Sequence, residues 1–171
     1  GARATVKANV TATDAGVRRA AIAAVGELED ASAVPLLTKA LAAATDADDR
    51  REIASALASL RGGPATDKAL IAVLASTELG VQSRLIAVLG ARGAKTARGA
   101  ILELAANPDV TVGKAAFRAL ASLALPGDLP ELIRLSIACE NEAVKVPADL
   151  AVLATAMKIG AAGERADAVL A

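Results

Sequence analysis

The sequence predicts an all-α fold: a right-handed α-α superhelix of about five helix pairs, counting a half-repeat at each end. A pattern recurs along the 171 residues, and each copy opens on an acidic or amide residue: Asp14, Asp46, Glu78, Asp109 and Asn141. These residues are 32, 32, 31 and 32 positions apart. Within each copy, apolar residues follow the spacing that lines one face of a helix. This period is typical of a solenoid, in which each unit buries its apolar face against its neighbours.

The repeats are predicted to form one domain over residues 1–171. Their approximate ranges are 14–45, 46–77, 78–108, 109–140 and 141–171. Residues 2–12 align with the second helix of the following copy, and residues 164–171 have the pattern of a shortened second helix. We therefore expect the chain to open and close on half-repeats and to be part of a longer array.

The first helix of each copy is predicted to bury one apolar face, which in the first copy comprises Val17, Ala21, Ile22, Val25 and Leu28. Val25 is matched by Leu57, Leu89, Leu120 and, with one residue of slippage, Leu153. Ile22 is matched by Ala54, Ile86, Phe117 and Leu150. The next column holds only small residues: Gly26, Ala58, Gly90, Ala121 and Ala154. This column predicts a close approach between helices.

Capping and breaking residues indicate where the helices begin and end. The residues that open the copies are predicted N-caps, with Glu78 the weakest of them and Asn141 a good one. Breaks at 29–32, 61–65, 92–95, 125–128 and 160–163 separate the paired helices, and most contain Gly or Pro. The second helices are predicted at approximately 33–44, 66–76, 95–106 and 129–139. Pro147 is expected to delay or kink the fifth first helix.

The pattern resembles HEAT repeats, in particular the short HEAT-like repeats that are common in bacteria and are sometimes named after phycobilin lyases. The first copy carries the resemblance most closely, with Asp14, then Val17-Arg18, then an Ala-rich helix that ends in Gly26 and Leu28. The resemblance covers essentially the whole chain and implies a fold, but it says little about function. Later copies replace Arg18 with Arg50, Gln82, Gly113 and Lys145, so an Asp–Arg ladder between repeats would be incomplete.

Composition argues against several classes of function. Lys plus Arg equals Asp plus Glu at 19 each, and Trp and Tyr are absent, so no nucleic-acid partner is expected. The chain has no histidine and only one cysteine, Cys139, and these counts predict a non-enzyme without a metal or other cofactor. Its apolar runs are all shorter than the ~18 residues of a membrane span. We therefore predict a soluble chain, cytoplasmic by default, with export as the alternative.

The leading functional hypothesis is a non-catalytic scaffold that binds a protein partner on the concave face lined by second helices. Four basic residues are predicted to contact an elongated acidic ligand: Lys39, Lys68, Arg98 and Arg134. Lys39 and Arg134 are three repeats apart. One alternative is a structural appendage that orients an enzyme or sensor domain of the same polypeptide. The other, suggested by the name of the repeats, is a domain like the phycobilin lyases or a chromophore chaperone.

Overall fold

The computed structural model describes residues 1–160, so the shortened helix expected at 164–171 lies outside the described residues. In residues 1–160 the chain forms ten α-helices and no strand, which confirms the all-α class. The helices are α1 Ala2–Ala8, α2 Ala15–Gly26, α3 Ala33–Ala43, α4 Ala47–Ser59, α5 Gly63–Leu74, α6 Leu79–Ala91, α7 Arg98–Ala105, α8 Val110–Leu123, α9 Leu129–Ile137 and α10 Glu142–Ala156. Short 3₁₀ turns at Asn9–Thr11, Lys95–Ala97 and Pro126–Asp128 precede α2, α7 and α9.

The helices stack in the order of the chain. The first helices α2, α4, α6, α8 and α10 each pack on the next, and the second helices α1, α3, α5, α7 and α9 each pack against the first helix that follows them. Each helix thus buries its apolar face mainly against neighbours in the sequence, as in an α-α solenoid. The right-handed twist stays a prediction.

The first helices begin directly after the residues predicted to cap them. The side chains of Asp14, Asp46, Asp109 and Asn141 each accept hydrogen bonds from backbone N–H groups of the first turn that follows. Glu78 precedes α6 without a capping side-chain bond. Glu is a poorer N-cap than Asp or Asn because its side chain is longer. The prediction that Glu78 is the weakest of the five caps is therefore confirmed.

The predicted core column is correct for four of its five members. Val25, Leu57, Leu89 and Leu120 are all 0% exposed, whereas Leu153 is 56% exposed. Leu150, which was expected to be buried in the column of Ile22, is 57% exposed. Both expectations were wrong because no slippage occurs between α8 and α10. At a constant spacing of 32, the buried residues Val112, Ala116, Ala119 and Leu123 correspond to Val144, Ala148, Ala151 and Thr155, which are also buried.

Val17 was also expected to be buried, and the structure shows it exposed. The equivalent residues Val81, Val112 and Val144 are buried because a preceding first helix packs over each of them. Within residues 1–160, α2 has only the short α1 and its 3₁₀ turn on that side, and they leave the first turn of α2 open.

The small-residue column marks two tight contacts between first helices. A Cβ atom on Gly26 would lie 2.9 Å from the Cα atom of Ala56 in α4. On Gly90 it would lie 3.0 Å from the Cβ atom of Ala119 in α8. These separations leave no room for a methyl group, which agrees with the predicted close approach.

Helix α6 closes on a glycine. Gly93 adopts φ +63°, its N–H donates to the Gly90 carbonyl at 3.0 Å, and the Ala94 N–H donates to the Leu89 carbonyl at 3.0 Å. This pair of bonds is a Schellman motif, which satisfies the last carbonyls of a helix from within the chain.

Helices α4 and α8 close differently, because the residues after them, Leu60 (φ −47°, ψ 120°) and Ala124 (φ −63°, ψ 146°), leave the helical conformation without a left-handed glycine. Their final carbonyls accept hydrogen bonds from a cation one repeat further along. Arg92 Nη1 donates to three carbonyls at the end of α4, and Lys158 Nζ does so at the end of α8. A positive charge there also complements the helix dipole, so these side chains join neighbouring repeats.

Pro147 neither delays α10 nor ends it. The helix begins at Glu142 and continues through the buried Pro147 to Ala156. Because the ring cannot donate to the carbonyl four residues earlier, this proline removes one bond from the first turns of the helix.

Candidate functional site

The structure places the four predicted binding residues on four successive second helices. Lys39 lies on α3, Lys68 on α5, Arg98 at the first position of α7, and Arg134 on α9. We call the exposed surface of the second helices the second-helix face. Each of these helices thus carries one of the four cations, and their alignment along this face stays a prediction.

Two of these cations are neutralised by carboxylates of this chain. Arg134 makes a bidentate pair with Glu131, at 2.8 Å from Nε to Oε2 and 2.6 Å from Nη2 to Oε1. The hydrogen bonds from Arg134 hold the pKa of Glu131 below its ordinary value, so the pair remains charged on both sides. Arg98 Nε lies 3.3 Å from Oδ2 of Asp128. These arginines have less capacity for an external acidic ligand than the sequence predicted.

Lys39 and Lys68 are different. Both are exposed, and neither ammonium group has an ion-pair or hydrogen-bond partner within residues 1–160. Lys39 borders a shallow groove of about 300 Å³ between α3 and α5. Thr38 also lines the groove, and its hydroxyl oxygen is buried with no hydrogen-bond partner among the described residues. A ligand in this groove would meet the free ammonium group of Lys39.

A second groove was not predicted. It lies between α6 and α8 on the opposite layer, has a volume of about 460 Å³, and is floored by small residues such as Ala87, Gly90 and Ala119. Three cationic side chains line it: Arg84, Lys114 and Arg118. The sequence did contain a signal for Arg118, because the equivalent positions carry Ala23, Ser55, Ala87 and Leu150. It could not show that two first helices would place three cations around one groove.

Comparison with known proteins identifies the repeats. The family model for HEAT repeats matches residues 67–152, which extend from α5 into α10 and make up half of the chain. The chain belongs to the HEAT repeat family. A crystal structure of an engineered protein from the Northeast Structural Genomics Consortium is similar in fold, with a TM-score of 0.55 at 21% sequence identity. The similarity covers 99% of this chain and 84% of that chain. No curated protein sequence matches significantly.

The ladder between these HEAT repeats is incomplete. Asp49 of the second repeat lies 2.7 Å from Arg18 Nη2 and 2.7 Å from Arg19 Nε of the first repeat. The two arginines lower the pKa of this nearly buried carboxyl group through hydrogen bonds. Valine replaces the acid in the following repeats, and the third repeat keeps only a hydrogen bond from Gln82 to the Leu74 carbonyl. The cluster joins the first two repeats and its carboxylate is nearly buried, so we assign it a structural role.

Chemically reactive groups are sparse in the described part of the HEAT array. Residues 1–160 contain no group of three or more Cys, Asp or Glu side chains placed to hold a metal ion. Cys139 is half-buried, with its Sγ atom 3.6 Å from the carbonyl oxygen of Asn141. None of the helices in this part of the chain has the length and apolar character needed to cross a membrane.

Proposed function

We propose that this HEAT array is a non-catalytic scaffold that binds a segment of a protein partner on its second-helix face. The observation that supports this proposal most strongly is the groove between α3 and α5, where the exposed Lys39 ammonium group lacks an ion-pair partner among residues 1–160. An exposed ammonium group that makes no ion pair within the chain is available to a carboxylate of a ligand. The family membership supports the repeat architecture of such a scaffold.

The charges refine the partner that was predicted from sequence. Lys39 and Lys68 lie on adjacent second helices that pack together, and both keep their charge free, so we assign the acidic contacts to them. Arg98 and Arg134 are compensated by Asp128 and Glu131, and we assign them only a lesser part in binding. Glu78 lines the same groove near the start of α6, so the acidic groups of the partner should lie toward Lys39.

A site-specific photo-crosslinking experiment tests the proposal. The crosslinking residue replaces Ala42, which is exposed and lines the groove between α3 and α5, and a matched control replaces Ala23, which is exposed on α2. We expect one protein to be crosslinked from position 42 and not from position 23. Mass spectrometry then identifies it, and binding to the purified partner is measured directly.

Charge reversal provides the second half of the test. K39E/K68E should weaken binding of the identified partner by about tenfold or more, because two like charges would then face an acidic segment. R51E/R61E is the matched control, since it makes the same charge change at exposed residues of α4 and the turn after it. Equal crosslinking from both positions, or equal weakening by both variants, would argue against the second-helix face.

A further inference from the structure

We propose a second docking surface, on the first helices, that fits an acidic amphipathic helix of a protein partner. This outer patch consists of Arg84 on α6, Lys114 and Arg118 on α8, and Val146 and Leu150 on α10. The inference extends the proposed scaffold function to a separate surface, because these helices belong to the layer opposite the second-helix face.

The cationic half of the outer patch is electrostatically unsatisfied. Arg84, Lys114 and Arg118 have no ion pair or side-chain hydrogen bond among residues 1–160, and the residues that line their groove include no carboxylate. The acid nearest in sequence, Asp109, already accepts backbone N–H bonds from Thr111 and Val112. Three uncompensated cations around one groove favour an anionic ligand.

The apolar half is a stripe along the exposed side of α10. It consists of Val146, Leu150, Leu153 and Met157, all more than half exposed and spaced as one helix face. A groove of about 200 Å³ connects it with the cationic half and is lined by Arg118, Ala121, Val146, Pro147 and Leu150. Contiguous exposed apolar residues beside a charged rim are typical of protein interaction sites.

A further repeat stacked in the same way would leave Val146 and Leu150 accessible. At the constant spacing of 32 residues, Val146 and Leu150 correspond to Lys114 and Arg118 on α8. Those two residues remain accessible although α9 and α10 follow them, with Arg118 exposed and Lys114 half-buried. On the same exposed side of the first helices, α8 thus carries cations and α10 carries aliphatic side chains. Val146 and Leu150 are therefore surface residues of the array, and the outer patch is defined by them and not by Leu153, whose equivalent Ala121 belongs to the small-residue column.

The combination of the two halves identifies the ligand class. An amphipathic helix with carboxylates along one edge can pair with Arg84, Lys114 and Arg118 while its apolar face covers Val146 and Leu150. The groove floor of Ala and Gly side chains permits the close approach that a helix requires. A nucleic acid would leave the apolar half uncovered, and the patch has no exposed aromatic residue on which bases could stack.

The test uses a fluorescein-labelled model peptide of about 18 residues, long enough for appreciable helicity, with Leu on one face and Glu beside it. Binding to the intact chain is measured by fluorescence anisotropy at low and physiological salt. A peptide of the same composition in scrambled order controls for charge alone. We expect saturable binding of the patterned peptide, weaker binding at higher salt, and little binding of the scrambled peptide.

Three variants locate the binding site. K114E/R118E and, separately, L150S should each weaken binding of the peptide by about tenfold or more, whereas R51E/R61E should leave it unchanged. All these side chains are exposed or half-buried, and circular dichroism and denaturant midpoints verify that each variant is folded. The Ala42 crosslink is read independently, so failure of the outer patch and failure of the second-helix face give different results.

Other outcomes would overturn the proposal. Absence of saturable peptide binding, or equal weakening by R51E/R61E, would contradict a helix site on the outer patch. If the chain sediments with phosphatidylserine vesicles instead, and K114E/R118E and L150S abolish that binding, the patch is a membrane-contact surface. If the peptide fails to bind and sedimentation shows a dimer that L150S dissociates, the patch joins two copies of the chain.

Discussion

Asp49 is the one acidic residue in a column of valines. The other copies carry Val17, Val81, Val112 and Val144 at this position. In the fourth copy, Val112 is followed by Gly113, which stands where the first two copies have Arg18 and Arg50. The side chain of Asp49 is 8% exposed and is held between Arg18 and Arg19. A buried acid there is stable only with its cations, because an unpaired charge is costly to remove from water.

Substitution of Asp49 tests whether the stability of the fold depends on its ion pair with the arginines or on the burial of a side chain at this position. We expect D49V to lower the denaturant midpoint, because it leaves Arg18 partly buried without its carboxylate. The double variant R18M/D49V should recover part of the loss, since it replaces the ion pair with the apolar contact found in later repeats. Chemical denaturation of the wild type, both single variants and the double variant measures the coupling. Strictly additive losses would contradict the interaction.

The lowered pKa of Asp49 also fixes the direction in which the stability difference between wild type and D49V changes with pH. The arginines lower the pKa of Asp49 in the folded state from its ordinary value of 3.8. Its stabilising contribution is therefore present at pH values above the unfolded pKa and is lost as the pH falls through the lower folded pKa. The difference between wild type and D49V should shrink below about pH 4 and stay constant near neutrality.

At the scale of the helix, two glycines of α6 have opposite roles. A Cβ atom on Gly90 would meet Ala119 at 3.0 Å, whereas one on Gly80 would meet no atom within 4 Å. We expect G90A to destabilise the fold by about 1–3 kcal/mol, because α6 and α8 must separate. G80A in the same helix should be neutral or stabilising by up to about 1 kcal/mol, because alanine favours the helix. Denaturant unfolding of both variants measures the contrast, and equal effects would mean that α6 and α8 are not in tight contact.

Helix α10 shows why part of the fold could not be predicted from the sequence. It carries two apolar stripes, one through Val144, Ala148 and Ala151 that is buried, and one through Val146 and Leu150 that is exposed. Both stripes have helical spacing, so periodicity cannot decide which one faces the core. The larger aliphatic side chains favoured the exposed stripe, and this preference led to the assumed slippage and the wrong burial of Leu153. The core column of Val25, Leu57, Leu89 and Leu120 was predictable because each of these residues lies 11 positions after the residue that opens its copy, whereas Leu153 lies 12 positions after Asn141.

The candidate site also has a part that could be predicted from the sequence and a part that could not. The pair of Glu131 with Arg134 is three residues apart on one helix and could have been inferred from sequence, since such neighbours interact on a helix surface. The pair of Arg98 with Asp128 joins two repeats and depends on their relative position. The groove between α6 and α8 likewise depends on helix packing. Residue spacing therefore predicted which helix carries each cation, but it could not predict which cations remain free.

At the scale of the molecule, stability depends on contacts between neighbouring repeats. Arg92 and Lys158 each donate to carbonyls of the preceding repeat, and every first helix packs on the next one. In such an array the free energy of unfolding is approximately a sum of repeat and interface contributions. Damage to one repeat should therefore spread to its neighbours and weaken with distance along the chain.

Replacement of Leu89 tests this coupling. Leu89 on α6 and Leu120 on α8 are both fully buried, so L89A and L120A should each cost about 2–5 kcal/mol through lost packing and a residual cavity. Hydrogen exchange followed by mass spectrometry should show the largest loss of protection for L89A in α4, α6 and α8, and the smallest in α1 and α2, which do not pack on α6. For L120A the affected region should shift toward α10. Uniform loss along the chain in both variants would indicate a single cooperative unit, and unchanged denaturant midpoints would contradict the core column itself.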